Sequence, residues 1–195
     1  MKIILIILSL AAVAFLGIQI FAIKTQHNIE KYSYTVSKTF EIFEIRNYEA
    51  RLFTSVNSNT NNFKNASSKG FSILAGYIFG GNEKNEKIAM TSPVAMSLEE
   101  SMTMMFLAPK KFNRNNLPKP NASNIEFLEI PEKKVAAISF GGWANNKKIA
   151  LQKQKLINAL NNKGIKHINK FYFLGYNAPY EVFNRKNEII VELKK

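Results

Sequence analysis

Cysteine is absent from this 195-residue chain, which excludes disulfides, thiolate metal sites, thiol-linked prosthetic groups and a thiol nucleophile. Aspartate is absent too, so all 14 acidic residues are glutamate. Only two histidines occur, His27 and His167, and neither belongs to an H-E-x-x-H zinc motif. A G-x-S-x-G elbow and a phosphate-binding P-loop are likewise missing, so common hydrolase and nucleotide-dependent chemistries have no signature here. Against 14 acidic residues stand 27 basic ones, a formal charge of +13. The lysines and arginines are scattered through an asparagine-rich chain rather than grouped on one helix, which argues against specific nucleic-acid binding.

Charge is also missing from one long stretch. Ile3 to Ile23 contains no ionisable residue, and at ~1.5 Å per helical residue it reaches across the roughly 30 Å hydrocarbon layer of a bilayer. A cleaved signal peptide is the rival reading, but its apolar region runs to about 7 to 15 residues and ends at a small-residue site. The sole A-x-A pattern, Ala12-Val13-Ala14, would leave a long apolar tail behind. Residues 1–23 are therefore expected to be an uncleaved membrane anchor. Residues 24–33 are expected to form a tether, and 34–195 one globular domain on the extracytoplasmic side. Without Lys2 the remainder carries 26 basic and 14 acidic residues, a balance that attracts it to anionic headgroups.

The globular part reads as two similar halves. Glu41-Ile42-Phe43-Glu44-Ile45 returns as Glu126-Phe127-Leu128-Glu129-Ile130. In the first half, strands are expected over Thr39–Arg46 and Glu49–Asn57 around a turn at Asn47. A helix follows over Asn62–Phe79, then strands near Glu86–Met96 and Ser101–Ala108. The second half repeats the order, with strands over Ile125–Ile130 and Val135–Phe140, a helix over Asn145–Lys163, and strands over Asn169–Tyr176 and Glu188–Leu193. Gly80-Gly81 and Gly164 stand where helices end. The polar, proline-bearing Pro109–Ser123 is a loop between the halves. Two ββαββ units of this kind predict an α+β domain, a curled antiparallel, barrel-like sheet with both helices on one surface.

Four segments carry a resemblance. Lys87 to Val94 reads K-I-A-M-T-S-P-V, Tyr48 to Phe53 reads Y-E-A-R-L-F, Gly175 to Pro179 reads G-Y-N-A-P, and Asn184 to Glu188 reads N-R-K-N-E. In this order they resemble the motifs of the SOUL haem-binding family, over about Ser37 to Leu193. The resemblance implies a duplicated barrel-like fold, shared with effector-binding domains of bacterial regulators. It also implies non-covalent binding of haem or a related tetrapyrrole without chemical turnover. Another flat hydrophobic ligand, or a weak hydrolase on the same fold, are the alternatives. Some animal members have a histidine, proposed as the iron ligand, at the position that is Asn47 here.

A planar tetrapyrrole needs apolar faces and cationic or hydrogen-bonding groups at its rim. Phe71, Leu74 and Ile78 on the first long helix of the domain are expected to line such a groove. The Gly175–Tyr180 loop would be the facing wall, with Tyr176 and Tyr180 as aromatic surface and Lys64 and Lys69 as rim cations. Trp143, the only tryptophan, is read as a groove lid or as a strand-end residue covering the core. Axial ligation by His27 or His167 has no support from neighbouring motifs, and no metal site is expected. Five of six methionines lie between Met90 and Met105 and read mainly as adaptable core filler.

Overall fold

The computed structural model describes residues 2–27 and 29–194. Helix α1 (Lys2–His27) is apolar. It is followed by β1 (Glu30–Lys31), β2 (Tyr34–Thr39), β3 (Glu44–Tyr48), β4 (Arg51–Asn57) and α2 (Phe63–Ile78). Next come β5 (Thr91–Ser92), β6 (Val94–Ser97), β7 (Thr103–Leu107), β8 (Ile125–Ile130) and β9 (Lys133–Gly141). Helix α3 (Asn146–Asn162), β10 (His167–Gly175) and β11 (Lys186–Leu193) complete the domain.

Nine strands form one antiparallel sheet in the order β2-β3-β9-β11-β10-β6-β7-β4-β8. With β2 set aside, exchanging the halves (β3 with β8, β4 with β9, β6 with β10, β7 with β11) reproduces this order read backwards. The sheet therefore has the symmetry of a duplication. Each half also lends its first strand to the other: β3 pairs with β9 and β8 with β4, so neither sheet half closes alone. The repeated pentapeptide is less regular than its sequence. Glu126–Ile130 lies within β8, whereas only Glu44 and Ile45 of the first copy are in β3. Phe40 and Phe43 instead stack at 4.4 Å across a tight turn.

Alternation along the strands gives the sheet two different faces. On one, Met96, Met104, Phe106, Ile138, Ile189 and Val191 pack with Leu74, Leu156 and Leu160 of the two helices. On the other lie Tyr48, Phe53, Met105, Val135, Leu174 and Ile190. Gly70 sits where α2 meets β7, and a Cβ there would stand 2.9 Å from the Met104 Cβ, so close packing requires glycine. Both helices are capped alike: Asn62 Oδ1 accepts from Asn65 N–H and Asn145 Oδ1 from Lys148 N–H. At the other ends Gly81 N–H donates to Gly76 O and Ile165 N–H to Leu160 O, closing each helix through a glycine, Gly80 or Gly164, at positive φ.

Three strand expectations are corrected. Asn47 is inside β3, and the turn follows at residues 49–50. Residues 87–90 are not a strand: Ile88 is a buried plug whose N–H donates to Ile78 O at the end of α2. Strand β2 was not anticipated, because its side chains are almost all exposed and carry no alternation to read. Within the segment read as a tether, 24–27 continue α1 and Glu30–Lys31 pair in parallel with Thr91–Ser92. Glu30 also accepts a hydrogen bond from Arg51 at 2.6 Å.

Candidate functional site

A groove of about 1070 Å³ opens between the N-terminal half of α2, the start of α3 and the 175–187 segment. Its apolar surface comes from Phe63, Phe71, Val94, Met96, Met104 and Phe173, with Trp143 at the side. The helix wall between these rings is small and polar: Ser67, Ser68, Ser72 and Ala75. Space exists because those four positions lack bulk. Met96 and Met104 are cross-strand partners on β6 and β7, so two thioethers lie side by side at the floor.

The two helix N-termini meet at the groove. Asn146 of α3 accepts the Phe63 N–H of α2 through Oδ1 at 2.9 Å, tying the ends together. Lys64 and Lys147 follow the two caps and line the same opening. Their ammonium groups and the positive helix ends make this end of the groove electropositive. Arg185 closes the other side. Its guanidinium stacks over Trp143 at 3.9 Å and its Nη1 donates to the Ala178 and Glu181 carbonyls. Burial pushes its pKa down, opposed by the Glu181 charge. Its buried Nε has no hydrogen-bond partner among the described residues. Positive φ at Gly142 and Asn184 turns the chain so that Trp143 and Arg185 can meet.

Of the residues expected to line the groove, Phe71 does so. Leu74 and Ile78 do not: they are 0% and 3% exposed, inside the core. At about 100° per residue, Leu74 is turned some 60° from Phe71 toward the sheet, and Ile78 lies about 10 Å farther along the axis, past the opening. Lys69 stands roughly 160° around the helix from Phe71 and is exposed to solvent. On the facing wall Gly175, Asn177 and Pro179 line the groove, whereas Tyr176 points to the opposite sheet face, as strand alternation requires. There its hydroxyl donates to Glu188 at 2.6 Å. Tyr180 is exposed on the loop and is not part of the lining.

No histidine lines the groove among the described residues. The His167 ring accepts the Asn169 N–H through Nδ1 and borders a separate shallow depression; the His27 side chain lies outside the described residues. Asn47 is exposed on β3 and borders a third depression, on the other side of the sheet. Ser92, paired in β5, donates its hydroxyl to Tyr176 O at 3.4 Å. Sequence reading missed the serine wall, the Asn62/Asn145 caps as a joint feature and Arg185. The recurring Asn cap before each helix was the available signal.

Behind the groove, on the opposite sheet face, Glu188 is wholly buried. Arg46 donates to both its oxygens at 2.9 and 3.1 Å, Ser139 donates at 2.9 Å, and the Lys186 ammonium stands at 3.1 Å. Burial alone would raise the Glu188 pKa; hydrogen bonds and charge from Arg46, with Tyr176 and Lys186, hold it below the usual range. The adjacent Asn187 faces the groove and donates to Gly142 O at 2.7 Å.

A curled antiparallel sheet presenting an apolar, cation-rimmed groove beside two helices has the form of a ligand-binding domain. The chain belongs to the SOUL haem-binding family: the profile described as SOUL heme-binding protein matches residues 29–192. It is 30% identical over 156 residues to heme-binding protein 2 of Mus musculus, covering 75% of this chain and 76% of that protein. The human heme-binding protein 2 gives the same figures. Heme-binding protein 1 of Xenopus laevis is 26% identical over 155 residues, covering 75% and 81% of the two chains. In fold, the chain is similar to the EcmrR C-terminal domain, with a TM-score of 0.62 at 12% identity, covering 83% and 98% of the two chains. A hydrolase from Listeria innocua shares the fold at a TM-score of 0.55 and 7% identity, covering 88% and 96%.

Helix α1 has the length and composition of a membrane anchor or a signal sequence. Its side chains from Ile3 to Ile18 are exposed.

Proposed function

We propose that the chain binds haem or a related tetrapyrrole non-covalently in the groove, without turnover, and that α1 anchors it to a membrane with the domain on the extracytoplasmic side. The observation that carries the reading is the joint lining. A floor of Phe173, Met96 and Met104 and a wall at Phe71 offer apolar surface, while Lys64, Lys147 and Arg185 stand at the edges where carboxylates of an amphiphilic ring would fall. Small-molecule pockets run to about 300–1000 Å³, so a 1070 Å³ groove suits a large ligand. Burial against these side chains contributes several kcal/mol at about 25 cal/mol per Å². Once association costs are met, affinity of about micromolar strength is expected. With no histidine in the lining among the described residues, the thioethers of Met96 and Met104 in the floor would be the soft donors available to iron. Ser139 and Glu188, together with the tyrosines, serve the packing of the opposite face.

Haemin titration of the full chain in detergent, followed in the Soret region against a detergent blank, tests this. Saturable binding is expected, weakened at least tenfold by Ser68→Trp, which fills the groove from an exposed helix position. Leu128→Trp, in the depression on the other side, should leave binding unchanged. The reverse pattern, or no saturable binding, would overturn the assignment.

A further inference from the structure

The loop that forms one lip of the groove is fastened to the apolar N-terminal helix. Gln19, four residues before the end of the uncharged stretch Ile3–Ile23, is 5% exposed. Its Nε2 donates to Tyr180 O at 3.0 Å and its Oε1 accepts the Val182 N–H at 3.2 Å. One turn earlier, Phe15 meets Phe183 edge to face at 6.4 Å. Tyr180, Val182 and Phe183 nonetheless stay 53%, 39% and 56% exposed, and Trp143 across the lip 54%. The same loop is internally rigid: Glu181 accepts from Ala178 N–H and Asn177 Nδ2, and Asn177 Oδ1 accepts the Lys186 N–H.

The geometry points to a lipid contact: residues 180–183, with Trp143 beside them, bed into the bilayer interface around α1, so that the groove opens at the membrane surface. This rests on the anchor reading of α1. Three observations select lipid over other occupants. The exposed side chains are continuous with a helix of membrane-spanning length, and they are the mixed aromatic and aliphatic kind that settles at headgroup level. Their depth also agrees. Gln19 precedes Ile23, where the uncharged stretch ends, by four residues, about 6 Å along the axis, within the ~5–10 Å to which interfacial segments sink. Finally, the groove lining carries cations at this lip, Arg185 over Trp143 and Lys147, while the loop's Glu181 is buried and held by Ala178 and Asn177, which favours a headgroup layer. An amphiphilic planar ligand dissolved in the bilayer would then enter the groove sideways, its apolar body never crossing water.

The lone Trp143 makes this measurable without labelling. The full chain is reconstituted in phosphatidylcholine vesicles whose acyl chains are brominated either near the glycerol or near the methyl end, and flotation is checked first. Expected are co-flotation, strong quenching of Trp143 by bromine near the glycerol and weak quenching by bromine near the methyl end. In Val182→Ser/Phe183→Ser the chain should still float, with quenching lost. A chain that floats while Trp143 is quenched only by aqueous acrylamide overturns the lip contact and leaves the anchor standing; a chain that does not float overturns both. Quenching retained in the double variant overturns the role of this loop. Trp143 emission that follows protein concentration and ignores lipid makes a second copy the occupant and overturns the proposal as well.

Discussion

Two depressions of similar size lie on opposite faces of the sheet, about 1070 Å³ beside the helices and about 1230 Å³ on the other side, and their linings are built on opposite logic. In the groove, polar side chains are occupied with backbone: Asn62 and Asn145 cap helices, Asn146 ties them together and Asn187 holds Gly142. Apolar surface is left facing the opening. In the larger depression, charges answer each other. Glu192 Oε1 accepts from both Lys133 Nζ and Tyr172 Oη at 3.0 Å, and Lys133 stands over the Tyr172 ring at 4.1 Å. Volume alone would favour the depression opposite the proposed site. A flat apolar ligand gains from a lining whose asparagines are already held by backbone, because less must be desolvated to admit it.

The sharpest way to separate the two faces is to break the pair beneath them. Arg46→Met strands Glu188 in the sheet, and losing one partner of a buried ion pair costs roughly 3–5 kcal/mol. Urea unfolding should show that loss near neutral pH. The pH dependence should change as well. In the native chain Glu188 is held below its unfolded pKa of about 4.3, so its contribution is present above that value and disappears as pH falls through the folded pKa. In Arg46→Met, burial is no longer outweighed, the carboxyl prefers its proton, and acidification should cost less stability than in the native chain. Equal acid sensitivity in both would mean that Arg46 does not set the Glu188 charge. Haemin affinity of the variant, measured where it remains folded, should be close to native, since neither side chain lines the groove.

A smaller effect is expected at the rim. Lys64→Glu and Lys147→Glu reverse exposed charges at the paired helix ends, and interactions of exposed ions are weak and screened. Each should reduce haemin affinity about two- to fivefold at low salt, with most of the difference gone at high salt. Charge reversal at Lys69, on the far side of the same helix, should do nothing. A Lys69 effect equal to that of Lys64 would point to general attraction by the basic domain instead of a rim contact.

Much of the architecture was legible because its signals are local. Asn before each helix and glycine after it mark ends that the structure closes with side-chain and backbone caps, and alternation in 125–130 and 135–140 survives as β8 and β9. Local signals fail where partners are remote or where the feature is a lack of something. Arg46 and Glu188 are 142 residues apart, and nothing in either neighbourhood names the other. The groove wall was sought among large apolar residues, yet Leu74 and Ile78 are buried because they are large and apolar. The opening is set by serines and an alanine, which leave no hydrophobic trace. Phe71, half-buried, is the large apolar residue of the helix wall that both sequence and structure place there, beside Lys64, Trp143 and the 175–179 wall. Tyr176 illustrates the remaining limit: a one-residue step past Gly175, the last residue of β10, turns a side chain to the other face of the sheet.

The last test concerns a position where sequence comparison and geometry pull apart. Asn47 stands where some SOUL proteins have a histidine proposed to bind iron, which invites Asn47→His as a gain of ligation. In the structure that residue is exposed on β3, bordering the polar depression with Lys133 and Lys134, and β9, β11 and β10 lie between β3 and the β6 strand of the groove floor. A histidine there cannot reach a ring lying on Met96 and Met104. Asn47→His should therefore leave both the haemin affinity and the Soret maximum unchanged. Met96→Leu/Met104→Leu, which keeps volume and removes sulfur, should shift the Soret band with little change in affinity, because the apolar faces persist. A Soret shift confined to Asn47→His would move the ligand to the opposite face of the sheet and reverse the contrast between the two depressions.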